Sequence, residues 1–353
     1  MSYHIVLSRP KDLVEVSKTA KEGLNPRHAM AELKRELNAI VHDGSDIAPN
    51  WFDKTIAALT RMSPLCWAIA RKLRKEVGAG DVIFCTGEDI GLPVALLCGG
   101  LQDVHVTFMC HLIDSKKKQL ALSLFRARER VSVFFVVSKK QESSLSQYLK
   151  LGEDRVKFLW DQVDTNFFSP GPISTTKTRP VIASVGLEKR DYKTLAMATA
   201  DLDVDVKISG YSADTRVHSS AFPEVFPENM DRRFYSWADL VQLYRDADVI
   251  VVPLFPNTYA AGIQGLMEPL ACGRPVVITE TEGLNGLRKN SGPIRLVPAG
   301  NAVEMKRAIN ELMAEAEHNK SLSQQARSLA QERHTTETYV STIANTMRSL
   351  VSI

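Results

Sequence analysis

The sequence lacks the features that would place it in several common classes of protein. No apolar run approaches the roughly 18 residues of a membrane-spanning helix. Residues 1–8 lack the basic segment and apolar core of a signal peptide, and we expect a β-strand near the start. The five cysteines include no CxxC pair and follow no metal-ligand spacing. We therefore expect buried, reduced thiols, a cytoplasmic location and no bound metal.

Two further absences narrow the function. No GxGxxG motif follows an early strand, which argues against a nicotinamide-dependent dehydrogenase. The basic balance is mild, with a net charge of +3, whereas a dedicated nucleic-acid binder usually carries a stronger basic patch. We expect no nucleic-acid partner.

Composition and length indicate a soluble globular chain of two domains or one large one. The 353 residues are 44% hydrophobic and 24% charged, which excludes long disorder. Residues 1–160 carry 24 Lys and Arg against 18 Asp and Glu, whereas residues 161–353 carry 20 against 23. This uneven charge predicts two domains with different partners.

Strand-like apolar runs alternate with helical patterns on both sides of a segment rich in Pro, Gly, Ser and Thr at residues 164–180. The runs lie at residues 4–7, 81–86, 104–110, 131–138 and 156–160, then at 181–185, 204–209, 234–235, 248–254 and 275–279. Residues 27–41 show one helical period. Buried runs separated by helices predict an α/β fold with parallel sheets. We predict Rossmann-like domains at residues 1–165 and 166–335, followed by a helix at 336–353.

The most informative segment runs from residue 248 to residue 283. A buried strand ends in a Pro-Asn loop, and Ala260, Ala261 and Gly262 then open a helix. Small residues at a helix start let an anion approach free backbone N–H groups. Glu268 stands six residues further on and is placed to accept hydrogen bonds from ribose hydroxyls. The alternative is an ordinary strand-to-helix turn with a solvated Glu.

This segment resembles the nucleotide-sugar site of GT-B glycosyltransferases, most closely the retaining glycosyltransferase family 4. The stretch EPLACGRPVV at residues 268–277 is similar to the family pattern, and Glu268 matches the second of its two acids. The first acid is replaced by Ala260. The resemblance implies that Tyr259, Ala260 and the backbone N–H groups of Ala261, Gly262 and Ile263 hold the donor.

Two further segments carry the resemblance. Gly186 and Arg190 match a glycine and a cation that bind the donor diphosphate, with Lys189 or Lys193 as the second charge. A solvated basic cluster is the alternative. Tyr235 and Trp237 lie in the turn that receives the nucleobase, although a core role for either ring is equally open.

The resemblance implies an acceptor site in the first domain. His111 follows the strand at 104–110 and is the candidate catalytic residue, acting on donor-sugar hydroxyls or positioning the acceptor. Glu88 and Asp89 are acceptor-side candidates, and solvated loop acids are the alternative. A basic and apolar face includes Lys118 and residues 116–117, 126, 128 and 130. It predicts peripheral membrane contact or, alternatively, a helix packed on the sheet.

The resemblance also implies a function. We expect two sheets facing a central cleft, with the helix at 336–353 crossing back to the first domain. The enzyme would transfer sugar with retention from a nucleotide-sugar donor, first of all a UDP-sugar, to an unidentified sugar, lipid or small-molecule acceptor. No metal or cofactor is expected, since no Asp-x-Asp lies near a donor loop. The alternatives are a nucleotide-sugar epimerase of the same fold and a non-catalytic binding module, which Ala260 motivates.

Overall fold

The chain folds into two compact units. The computed structural model describes residues 1–113, 116–211, 220–285, 292–318 and 321–351. The first unit contains residues 1–18, 28–160 and 337–353, and the second contains residues 19–27 and 161–336. The sequence prediction put the boundary after residue 165, whereas the units divide after residue 160.

The first unit is built on a parallel six-stranded sheet with the order β2-β1-β3-β4-β5-β6. Its strands are β1 (Tyr3–Val6), β2 (Ile40–His42), β3 (Val82–Cys85), β4 (His105–Cys110), β5 (Val133–Val136) and β6 (Val156–Phe158). Its helices are α1 (Leu13–Lys21, which runs on into the second unit), α2 (Ala29–Leu37), α3 (Trp51–Thr60), α4 (Pro64–Glu76), α5 (Glu88–Cys98), α6 (Lys116–Leu124), α7 (Ala127–Arg130), α8 (Lys139–Leu149) and, from the end of the chain, α14 (Thr336–Ser349).

Alternate residues of these strands bury their side chains on opposite faces of the sheet, as a sheet covered by helices on both sides requires. In β1, Val6 joins a core that includes Trp67 of α4, whereas Ile5 joins a second core. Residues Ile343 and Met347 of α14 are fully buried in that second core. The last helix therefore completes one face of the first sheet.

The second unit repeats the design with the order β12-β11-β10-β7-β8-β9, again all parallel. Its strands are β7 (Val181–Val185), β8 (Asp205–Ser209), β9 (Met230–Arg232), β10 (Val249–Val252), β11 (Val276–Thr279) and β12 (Ile294–Val297). Its helices are α9 (Tyr192–Thr199), α10 (Trp237–Asp246), α11 (Ile263–Ala271), α12 (Ala302–His318) and α13 (Ser321–Arg333), with a 3-10 turn at Glu282–Leu284. The predicted α/β class with two Rossmann-like sheets is confirmed.

Two local predictions are wrong. The helix predicted over residues 27–41 ends at Leu37, because Asn38 adopts a left-handed conformation (φ 49°) that stops it, and Ile40 begins an edge strand. The strand predicted at residues 234–235 lies instead at Met230–Arg232, where Met230 pairs with Val206.

Candidate functional site

The segments that follow β7 and β10 meet at the carboxyl end of the second sheet, where open α/β sheets bind their ligands. These two strands are hydrogen-bonded neighbours. The N–H of Phe255 donates to the carbonyl of Lys189 at 2.8 Å, and the hydroxyl of Tyr259 donates to Oε1 of Glu188 at 2.7 Å. The structure thus brings the predicted segments around Gly186 and Gly262 together.

Arg190 lies inside this junction and is only 4% exposed. Its Nε and Nη2 donate to the carbonyl of Val185 at 3.0 and 2.8 Å, and Nη1 donates to the carbonyl of Glu188 at 2.9 Å. Two glycines make room for the guanidinium: a Cβ at Gly186 would lie 2.5 Å from Nη2, and one at Gly265 would lie 3.0 Å away. Burial lowers the pKa of Arg190. The cation therefore supports the backbone on both sides of Gly186 and packs beside Gly265 of α11.

The start of α11 departs from the expected arrangement of free N–H groups. The N–H of Ala261 donates to the carbonyl of Tyr259 at 2.8 Å, and the N–H of Ile263 donates to that of Ala260 at 3.3 Å. Both N–H groups therefore already have acceptors within a tight turn, and the prediction that these two groups contact a ligand is corrected. Gly262, with φ 88°, caps the helix, and its N–H has no partner among the hydrogen bonds of the described residues.

Glu268 is half-buried on α11 and accepts a hydrogen bond that the sequence did not predict. The phenol of Tyr244, on α10, donates to Oε2 of Glu268 at 2.6 Å. Burial of the carboxyl raises the pKa of Glu268 to about 7, and the charge of Asp161 adds to this, whereas Tyr244 and Arg190 oppose it. Tyr244 reads in the sequence as one of several apolar-face residues of a helix, and no signal distinguishes it.

The two aromatic candidates differ. Tyr235 is 7% exposed, and the guanidinium of Arg233 lies 4.5 Å from the centroid of its ring. Tyr235 therefore has the core role, and its stacking on a base is corrected. Trp237 begins α10 directly after its N-cap Ser236 and remains 44% exposed. Phe234, which the sequence did not single out, is 71% exposed.

Two lysines stand beside the glycine loop. Lys193 is half-buried in the first turn of α9, and Lys189 is exposed in a left-handed conformation (φ 55°). Neither amine has an acidic partner among the ion pairs of the residues that the structure describes. Both are therefore available to an anion from solution.

In the first unit, Glu88 holds the segment after β4. Its buried carboxylate accepts from the N–H groups of His111 at 2.9 Å and Leu112 at 3.1 Å, and from Nζ of Lys118 at 2.5 Å. Burial alone would raise the pKa of Glu88, but the Lys118 charge and these hydrogen bonds bring it below the usual value. Because both oxygens are engaged, Glu88 is a support for the loop and not a ligand for an acceptor.

His111 itself is exposed and fixed at its backbone. Its carbonyl accepts from Nε2 of the buried Gln141 at 2.8 Å, and its own Nε2 lies 3.1 Å from the carbonyl of Thr86. A carbonyl accepts only, so this contact assigns the ring proton to Nε2. Asp89 is exposed in the first turn of α5.

The basic and apolar face divides between core and surface. Leu122 of α6 is buried, whereas Leu120 and Leu124 are 57% and 70% exposed. Lys118 is paired with Glu88. The side chains of residues 116 and 117 lie outside the described residues.

A cavity of about 420 Å³ lies elsewhere in the second unit. Arg27, Asp164, Phe167 and Arg245 contribute to its wall, and none of the predicted site residues does. Within the described ranges, no helix is long and apolar enough to cross a membrane, and no group of three His, Cys, Asp or Glu residues is arranged to hold a metal ion.

Residues 193–315 match the family model of glycosyl transferases group 1. No curated protein matches the chain by sequence.

Three solved structures share the whole fold. They are HepE from Anabaena in complex with UDP-glucose (17% identity, TM-score 0.69, covering 99% of this chain and 100% of that one), sucrose-phosphate synthase from Thermosynechococcus elongatus (15%, 0.71, 100% of both) and trehalose 6-phosphate synthase from Burkholderia multivorans (13%, 0.73, 100% and 99%). At these identities the likeness shows the fold. Residues 193–315 thus match a group 1 glycosyltransferase domain, and the chain as a whole shares the two-sheet fold of these three structures.

Proposed function

We propose that this enzyme transfers a sugar, with retention and without a metal ion, from a nucleotide-sugar donor to a sugar, lipid or other small-molecule acceptor. The observation that carries the proposal is the junction around Arg190, where a glycine loop and a helix start meet beside a buried cation. HepE, which shares the fold, holds UDP-glucose, and this supports UDP as the nucleotide to test first.

In this proposal the donor diphosphate lies against the loop at Gly186 and the start of α11. The negative charge that develops on the leaving phosphate is stabilised by the positive end of α11, by the field of Arg190 and by Lys193. Glu268 accepts from the ribose hydroxyls, and the exposed face of Trp237 stacks on the base. The sugar is transferred by same-face attack, as the family resemblance implies, with His111 acting on the donor sugar or the acceptor.

Calorimetry with UDP, GDP and ADP tests the donor site. We expect one nucleotide to bind much more tightly than the other two. If none of the three binds, the donor-site proposal is wrong. Lys193→Ala should weaken that binding because a cation near the diphosphate is lost. Lys306→Ala serves as the control. It removes a lysine of α12 that is paired with Asp201, and this variant should bind the nucleotide normally.

A non-catalytic binding module is the second candidate, since Ala260 stands where the family carries an acid. A screen of donors against acceptors, lipids included, separates the two. Transfer or donor hydrolysis supports the enzyme, nucleotide binding without turnover supports the module, and an epimerised sugar nucleotide formed without acceptor would support an epimerase.

We also propose that the first unit contacts anionic membranes through α6 and works at a cytoplasmic surface. Leu120 and Leu124 project from the helix, and Arg126 and Arg128 are exposed beside them. Sedimentation with phosphatidylglycerol vesicles should capture the protein, and phosphatidylcholine vesicles should not. Leu124→Asp should abolish capture, whereas Val14→Asp, at an equally exposed residue of α1, should not. Equal loss in both variants would contradict this surface.

A further inference from the structure

The hydroxyl of Tyr244 and the carboxylate of Glu268 join α10 to α11. The distance from Oη to Oε2 is 2.6 Å, and Tyr244 is fully buried. The ring of Phe168 packs edge-on against Tyr244, with 6.0 Å between the ring centroids. Because the phenol cannot turn to solvent, it holds one oxygen of the carboxylate in a single place.

We propose that Tyr244 is a positioning residue for nucleotide recognition. Its hydrogen bond fixes Oε2 of Glu268 and leaves Oε1 to accept from the vicinal hydroxyls of a ribose. This inference rests on the proposed function, since it assigns the ribose to the same site. A carboxylate accepts at both oxygens, so one protein donor and one ligand diol can share it.

The hydrogen bond from Tyr244 stabilises the ionised form of Glu268, and the charged groups around the carboxylate act on the same equilibrium. Asp161, in the segment after β6, repels the carboxylate, whereas Arg190, in the loop after β7, attracts it. Cys272, one turn along α11, and Arg190 are the other ionisable groups that act on Tyr244. Burial already disfavours the carboxylate, and the pKa of Glu268 is raised to about 7. The phenol is thus one of two groups that keep the acid ionised near neutral pH.

The test is the pH profile of UDP affinity, measured by calorimetry from pH 6 to pH 9. In the unmodified protein, affinity should rise with pH through about 7. Tyr244→Phe should move the midpoint up by about one pH unit, as expected for the loss of a hydrogen bond to a charged group, and should therefore weaken binding about fivefold near pH 7. Glu268→Gln should flatten the profile, and adding Tyr244→Phe to it should change nothing further.

Tyr192→Phe is the matched control. Tyr192 is equally buried and donates to the carbonyl of Gly186, which does not titrate. This variant should leave the midpoint in place whatever it does to affinity or folding. If Tyr244→Phe fails to fold, 3-fluorotyrosine at position 244 provides the second measurement, since a more acidic phenol donates more strongly and should move the midpoint down.

The outcomes separate the two claims. If the unmodified protein binds UDP but Tyr244→Phe leaves the midpoint where it was, or lowers affinity equally at every pH, this inference is overturned and the proposed function stands. If the unmodified protein binds none of UDP, GDP and ADP, the proposed function fails and this inference fails with it.

Discussion

The guanidinium of Arg190 occupies the space that a side chain on Gly265 would enter. A Cβ built on Gly265 would lie 3.0 Å from Nη2 and 3.3 Å from the carbonyl of Val185, which accepts from that same guanidinium. The close packing of Arg190 in the loop after β7 therefore requires a glycine at position 265 of α11.

We predict that Gly265→Ala weakens UDP binding by displacing Arg190. The new methyl group presses on the guanidinium and its carbonyl acceptor, so the loop at Gly186 must shift. Calorimetry measures the effect, and melting temperature reports the folding cost, which we expect to be about 1–3 kcal/mol for an overpacked site. Gly78→Ala is the control, because nothing lies within 4 Å of a Cβ there. Equal UDP affinity in both variants would show that the packing of Arg190 against Gly265 does not matter for binding.

Arg190→Ala should lower both stability and nucleotide affinity. Its removal leaves the carbonyls of Val185 and Glu188 without their buried donor, at a cost of about 1–3 kcal/mol in the free energy of unfolding. UDP affinity should fall as well, because the loop at Gly186 loses its support and the site loses a positive charge. Denaturant titration and calorimetry give the two values. A stable variant with normal affinity would remove Arg190 from the site.

Replacing His111 should separate turnover from binding. In the proposed mechanism His111 acts on the sugar and not on the nucleotide, so His111→Ala should lower kcat about 10²–10⁴-fold, the usual range for an acid–base group, and leave UDP affinity near normal. Steady-state kinetics and calorimetry check this. His105→Ala is the comparison, since His105 lies at the opposite end of β4. Full activity in His111→Ala would dismiss the residue.

Acid should destabilise the first unit through His42. Its ring lies 3.0 Å from His4, and burial, followed by the charges of His4 and Lys72, lowers the pKa of His42 to about 4. The fold therefore prefers the neutral ring. Stability from this group is complete above the unfolded pKa of 6.5 and is lost as the pH falls from 6.5 toward 4.

Unfolding by urea at pH 7.5, 6 and 5 measures this loss. His42→Gln should show a shallower decline than the unmodified protein, although His28, whose pKa burial also lowers to about 4, keeps part of the slope. His111→Gln is the control, because that ring is exposed. A decline unchanged by His42→Gln would contradict the assignment.

The parts of the fold that the sequence predicted are those with strong local signals. Continuous apolar runs such as residues 249–252, separated by helical patterns, favour a parallel sheet covered on both faces, and they predicted the α/β class. The short edge strand Ile40–His42 was missed because its exposed and half-buried residues extend the period of the preceding helix. Its start is set by the conformation of Asn38, which composition does not reveal.

The same distinction holds for the site. Gly186 and Arg190 were singled out by their resemblance to a family motif, and the structure places them beside the start of α11 because the loops after neighbouring strands meet at one edge of the sheet. Other features of the site depend on contacts that the sequence does not show. Examples are the N–H groups that already have acceptors at the start of α11, the packing of Arg233 on Tyr235, and the hydrogen bonds from Glu88 to the loop at His111. Tyr244 belongs with these, since its partner lies 24 residues away on another helix.

The place of α14 in the core of the first unit has a consequence for biosynthesis. Ile343 and Met347 are buried beside Ile5, although the whole of the second unit is translated between them. Until α14 leaves the ribosome, the face of the first sheet that contains Ile5 is covered only in part, by α1 and α2, and some of its apolar side chains remain exposed. The second unit, apart from residues 19–27, is continuous in sequence. It can therefore finish folding before the first unit does, although synthesis of the first unit begins earlier.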